Sequence, residues 1–190
     1  LINSIALVVR FCIERYHGEE MLGYYGSVST IAVIVQAAAN FILVPLNGVI
    51  GEYYAQGNRR EIQKLAGKVI LLLGVVTGGT LACAAVFGKF ALVLLFGKSI
   101  EPYTWLLIPT ILASCLTGLA WFLGMILIII RKMKALIIGA AVGAAVSIVL
   151  SAALVPKFVF DGANVTVIAA LCISIVIYVI TLRNRGCMKG

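Results

Sequence analysis

Polar and charged residues divide this chain into six apolar segments. They are residues 1–13, 24–50, 69–96, 104–130, 135–155 and 165–182. Most of them approach or exceed the ~20 residues that a helix needs to cross a bilayer. None alternates apolar and polar residues as barrel strands do. The pattern predicts an all-α, polytopic membrane bundle of six transmembrane helices, forming a single transmembrane domain over residues 1–190.

The first segment is shorter than the others. At 1.5 Å per residue it would rise only about 20 Å, whereas the hydrocarbon core of a bilayer is about 30 Å thick. We therefore expect a truncated first helix. The chain also starts with Leu1 rather than Met and has no signal-peptide pattern. These features predict a C-terminal fragment of a longer protein.

The composition favours a membrane-embedded chain. Of the 190 residues, 63% are hydrophobic and 12% are charged, against roughly 45–50% and about 25% in soluble domains. The mean hydropathy is +1.14. The five cysteines lie in or beside apolar runs and form no C-x-x-C pair, which indicates neither disulfides nor a metal site.

The net charge is +8, and the basic residues are unevenly distributed among the stretches that connect the apolar segments. One set of alternate connections, together with the C-terminus, carries ten basic residues, whereas the other set carries three. The ten are Arg59, Arg60, Lys64, Lys68, Arg131, Lys132, Lys134, Arg183, Arg185 and Lys189, and the three are Arg15, Lys98 and Lys157. Short cytoplasmic loops are rich in Lys and Arg. We therefore predict a cytoplasmic C-terminus, and we assign the charge to membrane topology rather than to nucleic-acid binding.

Four segments carry polar side chains at helical spacing. The stripes are Asn3, Arg10, Glu14 and His17; Ser29, Gln36, Asn40 and Asn47; Thr110, Ser114, Thr117 and Trp121; and Ser174, Tyr178 and Thr181. A polar group in lipid is costly unless it faces water or a partner. The stripes either line a common hydrated cavity or bond their own backbone and hold neighbouring helices together. For the fourth and sixth segments both interpretations stay open.

Two cations lie inside apolar runs. A charge near the centre of a span costs at least ~2.5–3.5 kcal/mol on insertion scales. Arg10 either serves a cavity or extends toward the outer face with Glu14 as its partner. Lys89 either faces the same cavity or marks an interfacial break. The amides of Gln36 and Asn40, one helical turn apart, add hydrogen-bonding groups.

Other patterns predict packing and turns. Small residues recur every four positions in the fifth segment, which is typical of close helix packing. They are Gly139, Gly143, Ser147 and Ser151. Gly57-Asn58 predicts a turn followed by either a short amphipathic helix on the inner leaflet or a solvated loop. Gly18 and Gly162 predict tight outer turns.

The sequence does not point to catalysis. The central parts of the spans hold no Asp or Glu, and the single histidine, His17, lies at an outer edge. Neither a nucleophile–base spacing nor a glycine-rich phosphate loop occurs. We predict that the protein is not an enzyme and has no catalytic residues, metal or cofactor.

A stretch near the start resembles a known family. Arg10 is followed eight residues later by Gly18-Glu19-Glu20-Met21-Leu22-Gly23-Tyr24-Tyr25. This resembles the seventh helix of the polysaccharide-synthesis transporters, the O-antigen and capsule flippases of the multidrug/oligosaccharidyl-lipid/polysaccharide exporter superfamily. Further matches follow in order over essentially the whole chain: Pro45, Gly57-Asn58-Arg59-Arg60, Phe96-Gly97 with Tyr103, Arg131-Lys132-Met133-Lys134, and Asp161-Gly162-Ala163. The chain departs from the family's pattern at Val9, where Asp is frequent, and at Asn164.

The resemblance implies a transporter of two six-helix lobes, of which this chain is most of the second. Such proteins carry an undecaprenyl-pyrophosphate-linked oligosaccharide across the bacterial inner membrane by alternating access. Under this hypothesis Arg10, Gln36, Asn40 and Lys89 bind the substrate, with an arginine fork suited to phosphate oxygens. The expected partners are that lipid-linked substrate, membrane lipids, polysaccharide-assembly proteins and a coupling ion, H⁺ or Na⁺.

Two alternative functions are compatible with the pattern. A cation-coupled multidrug exporter of the same superfamily needs mid-membrane carboxylates, which this segment of chain does not provide. A non-transporting membrane scaffold of a polysaccharide-assembly complex needs no hydrated interior, so the polar stripes argue against it.

Overall fold

A computed structural model describes residues 2–184, apart from the side chains of residues 2, 35, 38–40, 42, 47, 59, 63, 183 and 184. All regular structure within this part is helical. The elements in order are α1 (Ile2–Ala55), α2 (Arg59–Phe96), a 3-10 helix (Lys98–Leu106), α3 (Leu107–Ile129) and α4 (Met133–Asn184). The predicted all-α class is confirmed.

Three stretches of this fold are long and apolar enough to cross a membrane. They are Arg60–Phe96, Lys98–Ile129 and Met133–Leu182. Large apolar side chains on α2 point away from the protein: Leu71, Val86 and Phe90 are 70%, 71% and 69% exposed. Such a surface fits a lipid environment rather than water. The count of six spans stays a prediction.

The two longest helices, α1 and α4, bend sharply. The backbone of α1 leaves helical geometry at Gly18 (φ 85°, ψ 174°), which separates a first arm (2–17) from a second arm (19–55). Glycine adopts this positive φ without the steric cost of a side chain, and the turn predicted there is confirmed. The backbone of α4 breaks at Val159 (φ 40°, ψ −100°), between a first arm (133–158) and a second arm (160–184).

The predicted turn at Gly162 is wrong by three residues, because Gly162 lies inside the second arm of α4. The bend comes earlier because Pro156 has no N–H to continue the helical hydrogen bonds. Gly162 instead permits close packing, since a Cβ atom there would lie 2.5 Å from the carbonyl oxygen of Leu154.

The two bends contact each other. Nε2 of His17, one residue before the first bend, donates to the carbonyl oxygen of Val155 at 2.9 Å. That carbonyl lies four residues before the second bend. Four aromatic rings pack between α1, the 3-10 helix and α4: Tyr24 stacks on Tyr103 at 4.7 Å, Tyr103 meets the edge of Phe160 at 5.4 Å, and Tyr25 stacks on Phe160 at 6.2 Å.

The connection between α1 and α2 is short. Gly57 has φ 69°, and the N–H of Asn58 donates to the carbonyl of Tyr53 at 2.9 Å, so the turn predicted at Gly57-Asn58 is confirmed. Of the two structures predicted after it, the solvated loop is wrong, whereas the helix is confirmed but is not short. Residues 59–68 are the first turns of α2, which continues without a break to Phe96.

The arms of α4 pack along a surface that we call the α4 seam, formed by Gly139, Gly143, Ser174 and Tyr178. A Cβ atom at Gly139 would collide with the ring of Tyr178, and one at Gly143 would collide with Oγ of Ser174. Ser174 Oγ donates to the Gly139 carbonyl at 3.0 Å, and Tyr178 Oη donates to the Leu136 carbonyl at 3.2 Å. The predicted small-residue ridge is confirmed, and the sixth-segment stripe holds helices together.

Candidate functional site

A cavity of about 390 Å³ lies between both arms of α1, α3 and the second arm of α4. We call it the polar cavity, because most hydrogen-bonding groups of the predicted stripes meet there. Its polar lining residues are Asn3, Arg10, Tyr25, Ser29, Gln36, Thr110, Ser114, Thr117 and Trp121. Aliphatic side chains such as Leu7, Val33 and Val167 complete the wall.

Packing of the first arm of α1 directs Arg10 toward this cavity. Ile5, Val9 and Ile13 recur every four residues and are at most 1% exposed, so they anchor one face of the arm in the core. Ser147 Oγ fixes the same arm by donating to the carbonyl of Ile5 at 3.1 Å. Arg10 lies off this buried row and lines the cavity.

Among the described residues of the cavity lining, Arg10 is the only charged one, and none is Asp or Glu. The partner considered for it, Glu14, forms no ion pair with it in the described part of the chain. Val9, at the position where the resembling family often has Asp, is fully buried among apolar side chains. The guanidinium group is thus left facing the cavity.

The stripe on α3 contributes all four of its members, Thr110, Ser114, Thr117 and Trp121, to the polar cavity. The hydroxyl of Thr117 donates back to the Ala113 carbonyl at 2.9 Å. Of the two interpretations for this segment, both apply in part, because its residues face a cavity while Thr117 also bonds its own helix.

The second arm of α1 contributes Tyr25, Ser29 and Gln36. Ser29 Oγ donates to the Tyr25 carbonyl at 2.7 Å. The side chains of Asn40 and Asn47, which continue this stripe, lie outside the described residues. Of the two amides predicted to bind substrate, the structure therefore describes the side chain of Gln36, which lines the cavity.

Lys89 lies elsewhere. Its Nζ is 2.7 Å from Oε1 of Glu101, and the two side chains are 65% and 50% exposed. The pair joins α2 to the 3-10 helix, and Lys89 is not among the residues that line the polar cavity. Glu14 and His17 also contribute nothing to the lining. Ser174 and Tyr178 of the sixth-segment stripe lie in the α4 seam, and Thr181 bonds to the Ile177 carbonyl of its own helix.

Two residues of the site were not predicted. Tyr25 lies four residues before Ser29, so the helical spacing of that stripe could have included it. Asn164, on the second arm of α4, is 2% exposed, and its Oδ1 accepts hydrogen bonds from Tyr25 Oη and Thr110 Oγ1, each at 3.4 Å. Its polar role depends on a contact between three helices, which sequence spacing does not reveal.

An apolar pocket of about 330 Å³ adjoins the polar cavity and shares Asn3 and Trp121 with it. Its other walls are Gly124, Met125, Ile128, Leu136 and Ala140. Among the described residues, no group of three His, Cys, Asp or Glu side chains is placed to hold a metal ion. Hydrogen bonding and one positive charge are what this site offers.

Comparison of the chain with protein-family models, with curated proteins and with solved structures gives no match.

Proposed function

We propose that this protein is a membrane transporter that flips an undecaprenyl-pyrophosphate-linked oligosaccharide across the bacterial inner membrane, for O-antigen, capsule or exopolysaccharide synthesis. The observation that carries the proposal is the polar cavity, whose described lining residues combine one cation, Arg10, with uncharged hydrogen-bonding groups and no carboxylate. That combination suits a substrate with an anionic pyrophosphate and a hydroxyl-rich glycan.

The guanidinium group is well matched to pyrophosphate. It presents five N–H donors in a planar fork that pairs with two phosphate oxygens at once. In a site walled by apolar side chains, the attraction between opposite charges is stronger than in water. The amide of Gln36 supplies both a donor and an acceptor for sugar hydroxyls. The adjoining apolar pocket supports an amphipathic substrate.

The proposal includes six membrane spans. Residues 133–158 and 160–184 of α4 rise about 39 Å and about 37 Å at 1.5 Å per residue, more than a hydrocarbon core of about 30 Å. Each arm is therefore long enough to cross once, with the bend at Val159 between crossings. The charge distribution supports a cytoplasmic C-terminus, although the side chains of Arg183, Arg185 and Lys189 lie outside the described residues.

The cavity argues against a cationic-drug exporter. A positively charged drug in the polar cavity would meet Arg10 and no carboxylate to pair with, and like charges repel strongly in a low dielectric. In a scaffold, nothing would compensate the free-energy cost of placing the Arg10 charge in a cavity within the membrane. A flippase would use both features, since the Arg10 charge would bind the pyrophosphate and the cavity would hold the glycan.

Replacement of Arg10 tests the proposal. In a host that lacks the native gene, complementation with Arg10→Ala should abolish surface polysaccharide while undecaprenyl-linked oligosaccharide accumulates on the cytoplasmic leaflet. Loss of a charge-assisted hydrogen-bond pair of about 1.5–3 kcal/mol predicts at least a roughly tenfold lower export rate. Arg10→Lys keeps the charge but loses the fork, so an intermediate rate is expected.

Arg15→Ala is the matched control, because Arg15 lies on the same arm and does not line the cavity. Membrane insertion of all variants is measured by fractionation. Wild-type export by Arg10→Ala would overturn the proposal. Unchanged glycans together with increased sensitivity to cationic drugs in the deletion strain would favour the exporter.

A further inference from the structure

Four of the five hydroxyl residues that line the polar cavity donate their proton to an acceptor within the protein, and the fifth is Ser114. Ser29 and Thr117 donate to the carbonyl oxygens of their own helices, at 2.7 Å and 2.9 Å. Tyr25 and Thr110 both donate to Oδ1 of Asn164, at 3.4 Å. A hydroxyl has a single proton and two lone pairs, so once the proton is used inside the protein the group offers the cavity acceptors only.

Asn164 accepts two of these four hydrogen bonds from behind the cavity wall. It does not line the cavity, it is 2% exposed, and its Nδ2 has no hydrogen-bond partner in the described part of the chain. A buried donor without a partner is unfavourable. A leucine of similar size would avoid that cost but would leave the hydroxyls of Tyr25 and Thr110, which are 6% and 5% exposed, without this acceptor, so the amide is explained by the two hydroxyls that it holds.

The donors of the cavity belong to other residues, namely Arg10, Trp121, the amides of Asn3 and Gln36, and the hydroxyl of Ser114. The guanidinium of Arg10 and the indole N–H of Trp121 donate and do not accept. The hydroxyls of Tyr25 and Thr110 therefore differ from the Arg10 guanidinium in the hydrogen bonds that they offer. An anionic group, which only accepts, is attracted to Arg10 and finds no donor at the Tyr25–Thr110 wall. A sugar hydroxyl finds its proton acceptor at that wall.

We infer that Asn164 is a positioning residue, which aims the Tyr25 and Thr110 protons away from the cavity and so creates a surface of acceptors for the hydroxyl protons of a glycan. This inference rests on the proposed function and deepens it. It assigns the two parts of one substrate to two regions of one cavity, with pyrophosphate at Arg10 and sugar at the Tyr25–Thr110 wall.

The test uses two probes that differ only in the sugar. One is a polyprenyl pyrophosphate that carries a single N-acetylhexosamine, and the other is the same polyprenyl pyrophosphate without a sugar. Each is titrated into the full-length protein in lipid nanodiscs. Binding is read from the part of the intrinsic fluorescence that Trp121→Phe removes, because Trp121 lines the cavity.

Asn164→Leu should raise the dissociation constant of the sugar-bearing probe about five- to tenfold, which is the effect expected from the loss of roughly one hydrogen bond. Binding of the sugar-free probe should change by less than about twofold. Arg10→Gln should weaken both probes, because both carry the pyrophosphate. In a protein that already contains Tyr25→Phe and Thr110→Val, adding Asn164→Leu should have no further effect, since the groups that it positions are gone.

Equal weakening of both probes by Asn164→Leu would show a merely structural role and overturn the inference, as would an additive effect in the triple variant. If Asn164→Leu does not fold, Tyr25→Phe and Thr110→Val provide the same comparison of probes, and equal loss for both probes again overturns it. A wild-type protein that binds neither probe would overturn the proposed function and the inference together. A wild type that binds both, with Asn164→Leu unchanged, would overturn the inference alone.

Discussion

The polar cavity and the α4 seam contain similar side chains with different roles. Each has a stripe of hydroxyl residues and one large aromatic residue at helical spacing: Thr110, Thr117 and Trp121 in the first, Ser174 and Tyr178 in the second. In the seam, the hydroxyls bond to carbonyls of the facing arm, and no room remains between the arms. In the cavity, the facing helices stay apart and about 390 Å³ is open.

The difference comes from the residues across the interface. Gly139 and Gly143 let the second arm of α4 approach until Tyr178 and Ser174 touch the backbone. Opposite the α3 stripe, Arg10 and Gln36 line the cavity instead of glycines. In this fold the polar stripe that faces glycines packs closely, as small residues at helix interfaces allow, and the stripe that faces Arg10 and Gln36 lines a cavity.

The largest effect is expected from enlarging a seam glycine. Gly143→Leu should lower the free energy of unfolding by about 3 kcal/mol, because the new side chain overlaps Ser174 and approaches the Ala170 carbonyl. Thermal or chemical unfolding in detergent measures it.

Gly78→Leu is the control for that experiment. Gly78 is exposed on α2, and no atom lies within 4 Å of the place where its Cβ would be. Its replacement should leave stability unchanged or slightly raised, since glycine weakens helices. Similar losses in both variants would refute the role of the seam in close packing.

A smaller effect distinguishes two tyrosines. Tyr178→Phe removes the 3.2 Å hydrogen bond to the Leu136 carbonyl and should cost about 1 kcal/mol of stability with no change in transport. Tyr25→Phe, which removes a longer bond of 3.4 Å, should cost less stability and reduce glycan transport. Unfolding curves and surface-polysaccharide assays on the same two variants make the comparison. A transport defect in Tyr178→Phe with none in Tyr25→Phe would contradict it.

The smallest effect is expected at Lys89. Its pairing with Glu101 takes place between two largely exposed side chains, and such pairs contribute little to stability. Lys89→Gln should therefore leave both unfolding and polysaccharide export at wild-type levels, in contrast to Arg10→Ala. An export defect in Lys89→Gln as severe as that of Arg10→Ala would instead place the substrate path where α2 meets the 3-10 helix.

Local spacing predicted much of this arrangement. The stripes of Arg10, Gln36 and Trp121 could be placed on helix faces from periodicity alone, and the structure brings these three residues to one cavity. The Gly139–Gly143 ridge was equally visible, because small residues every four positions define a face whatever packs on it.

Contacts between distant parts of the chain were not predictable in the same way. The pairing of Lys89 with Glu101 depends on the 3-10 helix that follows Gly97, a local geometry that composition does not signal. The bend at Val159 depends on Pro156 in combination with His17 from another helix. Asn164 reaches Tyr25 and Thr110 across sequence separations of 139 and 54 positions, beyond any periodic pattern.

The hydrogen bond from His17 to Val155 has a mechanical consequence. It links the helix end before Gly18 to the helix end before Val159, the two places where the backbone leaves helical geometry. A rotation of the first arm of α1 about Gly18 must either carry the first arm of α4 with it or break that bond. Motion at one bend is therefore coupled to motion at the other while the hydrogen bond is kept. Arg10 lies about two helical turns before Gly18 on the first arm of α1, so it would move with that arm.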